Sequence, residues 1–333
     1  MIRSSAPTRI DLAGGTLDIW PLYLFFDNPP TLNAAIDLYA TVELKPRNDR
    51  QIMVESKDLN LRERFASIQS LPEKHPLDLI LKTLKFYRPL PSKGMEVITD
   101  CRAPQGSGIG GSSALNIALH GAFNAWTGNR YRKPQILEIA RNIETQVISV
   151  PAGWQDYFPA LYGGLLAVQP GLSGVTHHPL TLDPAELTRR FVLCYTGKPR
   201  QSGINNWEVF KKVIEGENRT RRCLREIGQA ARKIETSLKK KQWRQTALWM
   251  EKEWRARKAL APGISTPHMD RLIRAAMSHG ALAGKVCGAG GGGCVAFLVK
   301  KGSRDKVAQA LEQQGGKVLP FRFVRRGLQV ERG

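Results

Sequence analysis

Residues 104–115 read PQGSGIGGSSAL, and this stretch constrains the fold more than any other. A β-branched, apolar run, GMEVITDCRA (94–103), leads into it, and a helical pattern leaves it at Ser112. A strand, a glycine turn and a helix in that order make a place for an anion. Glycines let backbone N–H groups approach closely, and the unpaired N–H groups of a helix start face the anion with the positive end of the helix dipole. Ser112 and Ser113 can cap that helix or offer hydroxyls to a metal. The loop has no lysine, so it is not a Walker A loop. Gly106, Gly108 and Gly111 spell GxGxxG, but a dinucleotide fold then needs a second strand ending in an acid about twenty residues on. That region is GNRYRKPQ, with no apolar strand, whose arginines would suit only a 2′-phosphate such as that of NADP. A glycine-rich turn that binds nothing is the remaining alternative.

A second cluster, CGAGGGGC (287–294), precedes the strand-like CVAFLVKKG. Consecutive glycines lose much conformational freedom on ordering, so close passage of the backbone beside a ligand or beside the first loop explains them better than a plain turn.

Two acids sit in unusual company. In KPQILEIARNIETQV (133–147), Ile136, Leu137, Ala140, Ile143 and Val147 share one helical face, and Glu144 falls inside that stripe. A carboxylate there must be paired, protonated or bound to a metal. Mg²⁺ takes one or two protein ligands plus phosphate oxygens, which a Ser–Glu pair would suit. Asp156 lies in VPAGWQDYFPALYGG, among Trp, Tyr, Phe and Gly, as a structural cap or as a catalytic group with an adjusted pKa. Near the start, APTRIDLAGGTLDIWP places Arg9, Asp11 and Asp18 around a small-residue turn, where either acid could accept hydrogen bonds from a polyol.

The remaining pattern is mixed. IDLYATVELKPR (36–47), LYGGLLAVQPG with a turn at Pro170–Gly171, RRFVLCYTGKPR (189–200) and VLPFRFV read as strands. Residues 205–260, HMDRLIRAAMSHG and 303–314 read as helices. A change of domain near 170–190 gives an α+β chain in two lobes, and 333 residues are enough for both cores. No run of eighteen or more uncharged apolar residues appears, and no signal-peptide core precedes the first charges, so the cytoplasm is the expected compartment. Five scattered cysteines argue against a disulfide framework and a zinc knuckle. The net charge of +21 fits a solvated basic surface or the attraction of an anionic substrate. No nucleic-acid module accompanies it, so nucleic acid is not an expected partner.

Together these stretches resemble the GHMP kinases, the family of galactokinase and of homoserine, mevalonate and phosphomevalonate kinases. Three motifs stand in the expected order: APTRIDLAGGTLDIW, PQGSGIGGSSA in the form PxxxG(L/I)GxSSA, and KVCGAGGGGCVAF. Within the family the likeness is greatest to bacterial kinases of heptose 7-phosphate and to fucokinase-like domains, through AGWQDYFPALYGG and YTGKPRQSG. The galactokinase run Gly-Glu-His-Thr-Asp keeps only its final acid, Asp18, so the sugar stays open.

The resemblance implies an N-terminal domain like ribosomal protein S5 (1–180), a ferredoxin-like C-terminal domain (181–333) and an active site between them that uses ATP and Mg²⁺. It assigns ATP to Pro104, Gly106, Ser107, Gly108, Ile109, Gly110, Gly111, Ser112 and Ser113, and the metal to Ser112 and Glu144. Asp156 becomes the base that takes the acceptor proton, steadied by Arg9. Asp18, Gly288, Gly290, Gly291, Lys198 and Arg200 become the substrate side. The implied reaction moves the γ-phosphoryl group to a sugar or sugar-phosphate hydroxyl. A mevalonate-type alcohol kinase and a non-catalytic binding member are the alternatives.

Overall fold

The structure, a computed structural model, describes residues 1–88, 94–199 and 202–333. Strands β1 (Ile2–Ala13) and β2 (Thr31–Arg47) run antiparallel at the centre of the first sheet. β3 (Ile52–Ser56) and β4 (Leu61–Phe65) form a hairpin, α1 (Asp78–Tyr87) crosses over, and β5 (Gly94–Cys101) returns between β2 and β3, parallel to β3. Helices α2 (Gly111–Trp126), α3 (Lys133–Ile148) and α4 (Tyr157–Tyr162) follow, then the hairpin β6 (Leu165–Gly171) and β7 (Gly174–Pro179), with β6 alongside β2.

After α5 (Pro184–Arg190) the chain enters a second sheet at β8 (Phe191–Tyr195). Four helices come next: α6 (Ser202–Ile214), α7 (Asn218–Lys239), α8 (Trp243–Lys258) and α9 (Pro267–Ser278). They lead to β9 (Ala281–Val286), β10 (Cys294–Val299), α10 (Arg304–Gln313) and β11 (Lys317–Leu319). The second sheet is antiparallel, in the order β11-β8-β10-β9. Counted within the sheet this is 4-1-3-2 on a βαββαβ chain, the ferredoxin-like arrangement. The last strand, β12 (Gln329–Arg332), goes back to the first sheet and pairs with β1.

The β1–β2 ladder changes register between Pro7, opposite Tyr39, and Thr8, opposite Ile36. Proline has no N–H to give a ladder, and an irregularity there re-aims the side chains beyond it. On one side of the shift, Ala6, Ala40, Val42 and Leu44 join the core under α1–α4. On the other, Ile10, Leu12, Leu32, Ala34 and Ile36 join the core shared with the second sheet and α7 and α8. One strand pair therefore belongs to both units. Alternation in the second sheet is equally clear: Phe191 and Leu193 face that shared core, while Val192 and Cys194 face Met269, Leu272 and Leu311 of α9 and α10.

Three expectations need correcting. Arg9 and Asp11 lie in a strand rather than at a turn, and the turn begins at Gly14. The hairpin turn expected at Pro170–Gly171 falls at Leu172–Ser173, because β6 continues through Gly171. VLPFRFV is a strand only as far as Leu319, where Pro320 ends the ladder, and Phe321 and Phe323 turn into the shared core.

Candidate active site

The glycine loop joins β5 to α2 as its residues require. Gly106, Gly108 and Gly110 have φ of +62°, +75° and +76°, a region open to glycine at no steric cost. Gly110 caps α2 without a side-chain bond, so no side-chain cap takes up the N–H groups of the first helical turn. Ser112 is exposed there, and Ser113 is buried. Ile109 turns its side chain into the shared core, and its carbonyl accepts the Arg9 N–H at 3.0 Å. After α2 the chain turns at Gly128 and enters a second helix, not a second strand. That order is incompatible with a dinucleotide fold.

A cavity of about 530 Å³ opens over this loop. Pro104, Gly106, Ser107, Gly108, Gly110, Gly111, Ser112 and Ser113 line one side, Glu144, Asp156, Asp18 and Thr16 another, and Gly288 and Ala289 a third. The late glycines meet the first loop by direct contact: Cys294 N–H donates to the Ser107 carbonyl at 2.7 Å, and a Cβ at Gly293 would lie 2.6 Å from that oxygen. Of the glycines expected on the substrate side, only Gly288 reaches the cavity wall. A Cβ at Gly290 would lie 2.5 Å from the Ile264 carbonyl, to which Gly291 N–H donates at 2.9 Å. Lys198 gives its carbonyl to Gly293 N–H at 2.9 Å and leaves its side chain exposed, off the cavity wall. Arg200 lies outside the described residues.

Glu144 is buried, as the helical stripe requires, and its Oε2 accepts from Ser113 Oγ at 2.9 Å and from the Tyr157 hydroxyl. Burial pushes its carboxyl above the usual range, the Tyr157 bond opposes that shift, and the Asp156 charge adds to it. The exposed Ser112 hydroxyl stands beside Ser113 at the start of α2.

Asp156 immediately precedes α4. Arg9 Nε donates to its Oδ1 at 2.8 Å, and Arg9 Nη1 donates to the Gly108 carbonyl at 2.6 Å. One planar guanidinium thus ties this carboxylate to the glycine loop. Arg9 is buried, whereas the Asp156 side chain keeps 21% exposure toward the cavity.

Asp18 is fully buried. Its Oδ2 accepts the backbone N–H groups of Trp154 and Gln155, and its Oδ1 has no protein partner among the described residues. Burial raises its pKa to about 6 against those two bonds, and the Asp156 charge contributes. Asp11 is not on the cavity wall: Lys285 Nζ holds its Oδ2 at 3.0 Å in the interior.

Sequence reasoning did not single out Tyr157, Thr16 or Asn206. Thr16 Oγ1 donates to Asn206 Oδ1 at 3.1 Å, and both line the cavity. Only the position of Tyr157 beside Asp156 was a signal. Among the described residues no group of three or more His, Cys, Asp or Glu could hold a metal. Among the same residues no helix is long and apolar enough to cross a membrane.

Comparison with known proteins points the same way. The family models for the GHMP kinases N terminal domain and GHMP kinases C terminal match residues 78–164 and 234–317. The D-glycero-alpha-D-manno-heptose 7-phosphate kinase of Campylobacter jejuni is 30% identical, over 98% of each chain. The L-fucokinase/L-fucose-1-P guanylyltransferase of Bacteroides fragilis is 26% identical over 89% of this chain and 34% of its own. Among solved structures, a D-glycero-D-manno-heptose 1-phosphate kinase from Bacteroides thetaiotaomicron superposes with a TM-score of 0.80. It is 26% identical, with coverage of 100% of this chain and 99% of that one.

Proposed function

The chain belongs to the GHMP kinases, and from that premise we propose that it moves the γ-phosphoryl group of ATP to a hydroxyl of a heptose- or fucose-like sugar or sugar phosphate. One observation carries this reading: Arg9 binds both the Asp156 carboxylate and the Gly108 carbonyl, so base and phosphate loop are one unit. In our reading residues 1–180 supply both groups, and residues 181–333 close the site from the other side.

The loop amides of 106–113 and the uncapped start of α2 receive the ATP phosphates, with the late glycines buttressing the loop at Ser107. Asp156 orients the acceptor hydroxyl and takes its proton, while Arg9 fixes the carboxylate and keeps it aimed. Asp18 offers Oδ1 to a sugar hydroxyl. Gly288 and Ala289 bound the acceptor from the far lobe.

A metal fits the donor set: a buried carboxylate, Glu144, facing an exposed hydroxyl, Ser112, is the hard-oxygen pair that Mg²⁺ accepts beside phosphate oxygens. When bound, Mg²⁺ would neutralise charge on the phosphates. Phosphoryl transfer asks mainly for positioning and charge stabilisation, with general-base help of roughly 10²–10⁴-fold. We place the reaction in the cytoplasm, where ATP is at hand.

The test is ADP release from Mg·ATP with pooled heptose phosphates, fucose and mevalonate, then with each alone. Release with sugars, abolished in Asp156→Ala while that variant still binds ATP, is the expected result. Release with mevalonate alone, or full turnover by Asp156→Ala, would overturn the assignment.

A further inference from the structure

We propose that Arg257, buried where the two units meet, is a positioning residue that holds turn 14–18 in the shape that receives the acceptor. The inference rests on the sugar-kinase reading for the acceptor and on geometry for the rest.

Arg257 lies on α8, four residues after Glu253, and the two side chains are 2% and 0% exposed. Its guanidinium makes three kinds of contact at once. Nε and Nη2 donate to Glu253 Oε1 at 3.0 and 2.6 Å, Nη2 also to the Gly15 carbonyl at 2.9 Å, and Nη1 to Thr16 Oγ1 at 3.4 Å. Thr16 passes the contact on to Asn206. Thr16 has φ +78°, a region that a β-branched residue enters only when its surroundings force it. Arg257 is the part of those surroundings that grips both the strained residue and the carbonyl before it. Two residues further on stands Asp18, whose buried Oδ1 has no protein partner among the described residues.

The charges around Arg257 are balanced and dry. Glu253 Oε1 lies 3.8 Å from Lys285 Nζ, which holds Asp11 through Oδ2 at 3.0 Å and through its carbonyl at 3.1 Å. Burial disfavours charge on Arg257 and on Asp11. Glu253 and Asp11 nevertheless raise the arginine, and Lys285, Arg257 and Arg9 lower the aspartate. Four buried charges rarely stabilise a fold more than apolar packing of the same volume would. Their use here is geometric: a planar fork with five donors reaches a carboxylate, a carbonyl and a hydroxyl together, which the point charge of a lysine does not.

Two variants test this. Arg257→Lys keeps the charge and loses the fork, and the double variant Glu253→Gln/Arg257→Met removes both charges, leaving Asp11 and Lys285 paired. KM is measured separately for ATP and for the sugar that the wild type turns over, alongside hydrogen exchange of the backbone amides. Both variants are expected to melt in one transition and to keep the ATP KM within about twofold. The acceptor KM should rise roughly tenfold or more, with faster exchange confined to residues 14–18. An unchanged acceptor KM overturns the proposal. So does an equal rise in both KM values with exchange quickened throughout α8 and the second sheet, the signature of a merely structural arginine. Should no sugar be turned over at all, the sugar-kinase reading fails on its own, and exchange at 14–18 still decides for or against Arg257.

Discussion

Asp18 and Glu144 are both buried acids with raised pKa values, yet their surroundings give them different work. Asp18 has two main-chain donors on one oxygen and nothing on the other. Its folded pKa of about 6 lies above its ordinary value of 3.8, so the native form binds the proton more tightly than the unfolded chain. Stability from this group is therefore gained as pH falls from 6 toward 3.8, and the ionised form is a cost above pH 6. Asp18→Asn, which can still accept both main-chain bonds, should stabilise the protein at pH 7.5 by roughly 1–3 kcal/mol in chemical denaturation. It should also weaken the acceptor by about tenfold or more. In the wild type, kcat/KM for the acceptor should fall as pH drops through 6, and Asp18→Asn should lack that inflection. For Glu144, replacement by Gln keeps a partner for Ser113 and Tyr157 but removes the charge. The Mg²⁺ concentration needed for half-maximal rate should then rise about tenfold or more, read from an Mg²⁺ titration at saturating ATP.

Elements meet at this site through backbone, and that contact makes its own prediction. Gly293 combines φ of +79° with a Cβ position 2.6 Å from the Ser107 carbonyl, whereas Gly302 has φ of +80° with nothing within 4 Å. Gly302→Ala should cost only the conformational term, about 1 kcal/mol, with ATP KM unchanged. Gly293→Ala should cost roughly 2–4 kcal/mol and raise ATP KM, because the phosphate loop must move. Thermal melts and initial rates on the pair separate strain from contact.

Such element-level geometry was partly legible in the sequence. The strand, loop and helix at 94–126 depend on local rules, and Glu144 announced itself by falling in an apolar stripe. The sequence APTRIDLAGG places Arg9 near a small-residue turn; the β1–β2 ladder that makes it a strand residue is a long-range pairing. Arg257 and Glu253, spaced four apart on a helix, look like a solvent-side ion pair. The packing of α8 against α7, β9 and the 14–18 turn makes them interior.

At the scale of the molecule, the two units are not independent. β1 and β2 feed both cores across the Pro7–Thr8 register shift, and β12 closes the outer edge of β1. Removing residues 329–333 should lower the melting temperature by several degrees and expose β1 as an unpaired edge prone to association, measurable by melting and by light scattering. Because β12 is drawn from the far end of the described chain, a ribosome releases the neighbour of β1 only after it has made the whole second sheet. During synthesis the first sheet therefore waits with one side of β1 open until the second sheet has been translated.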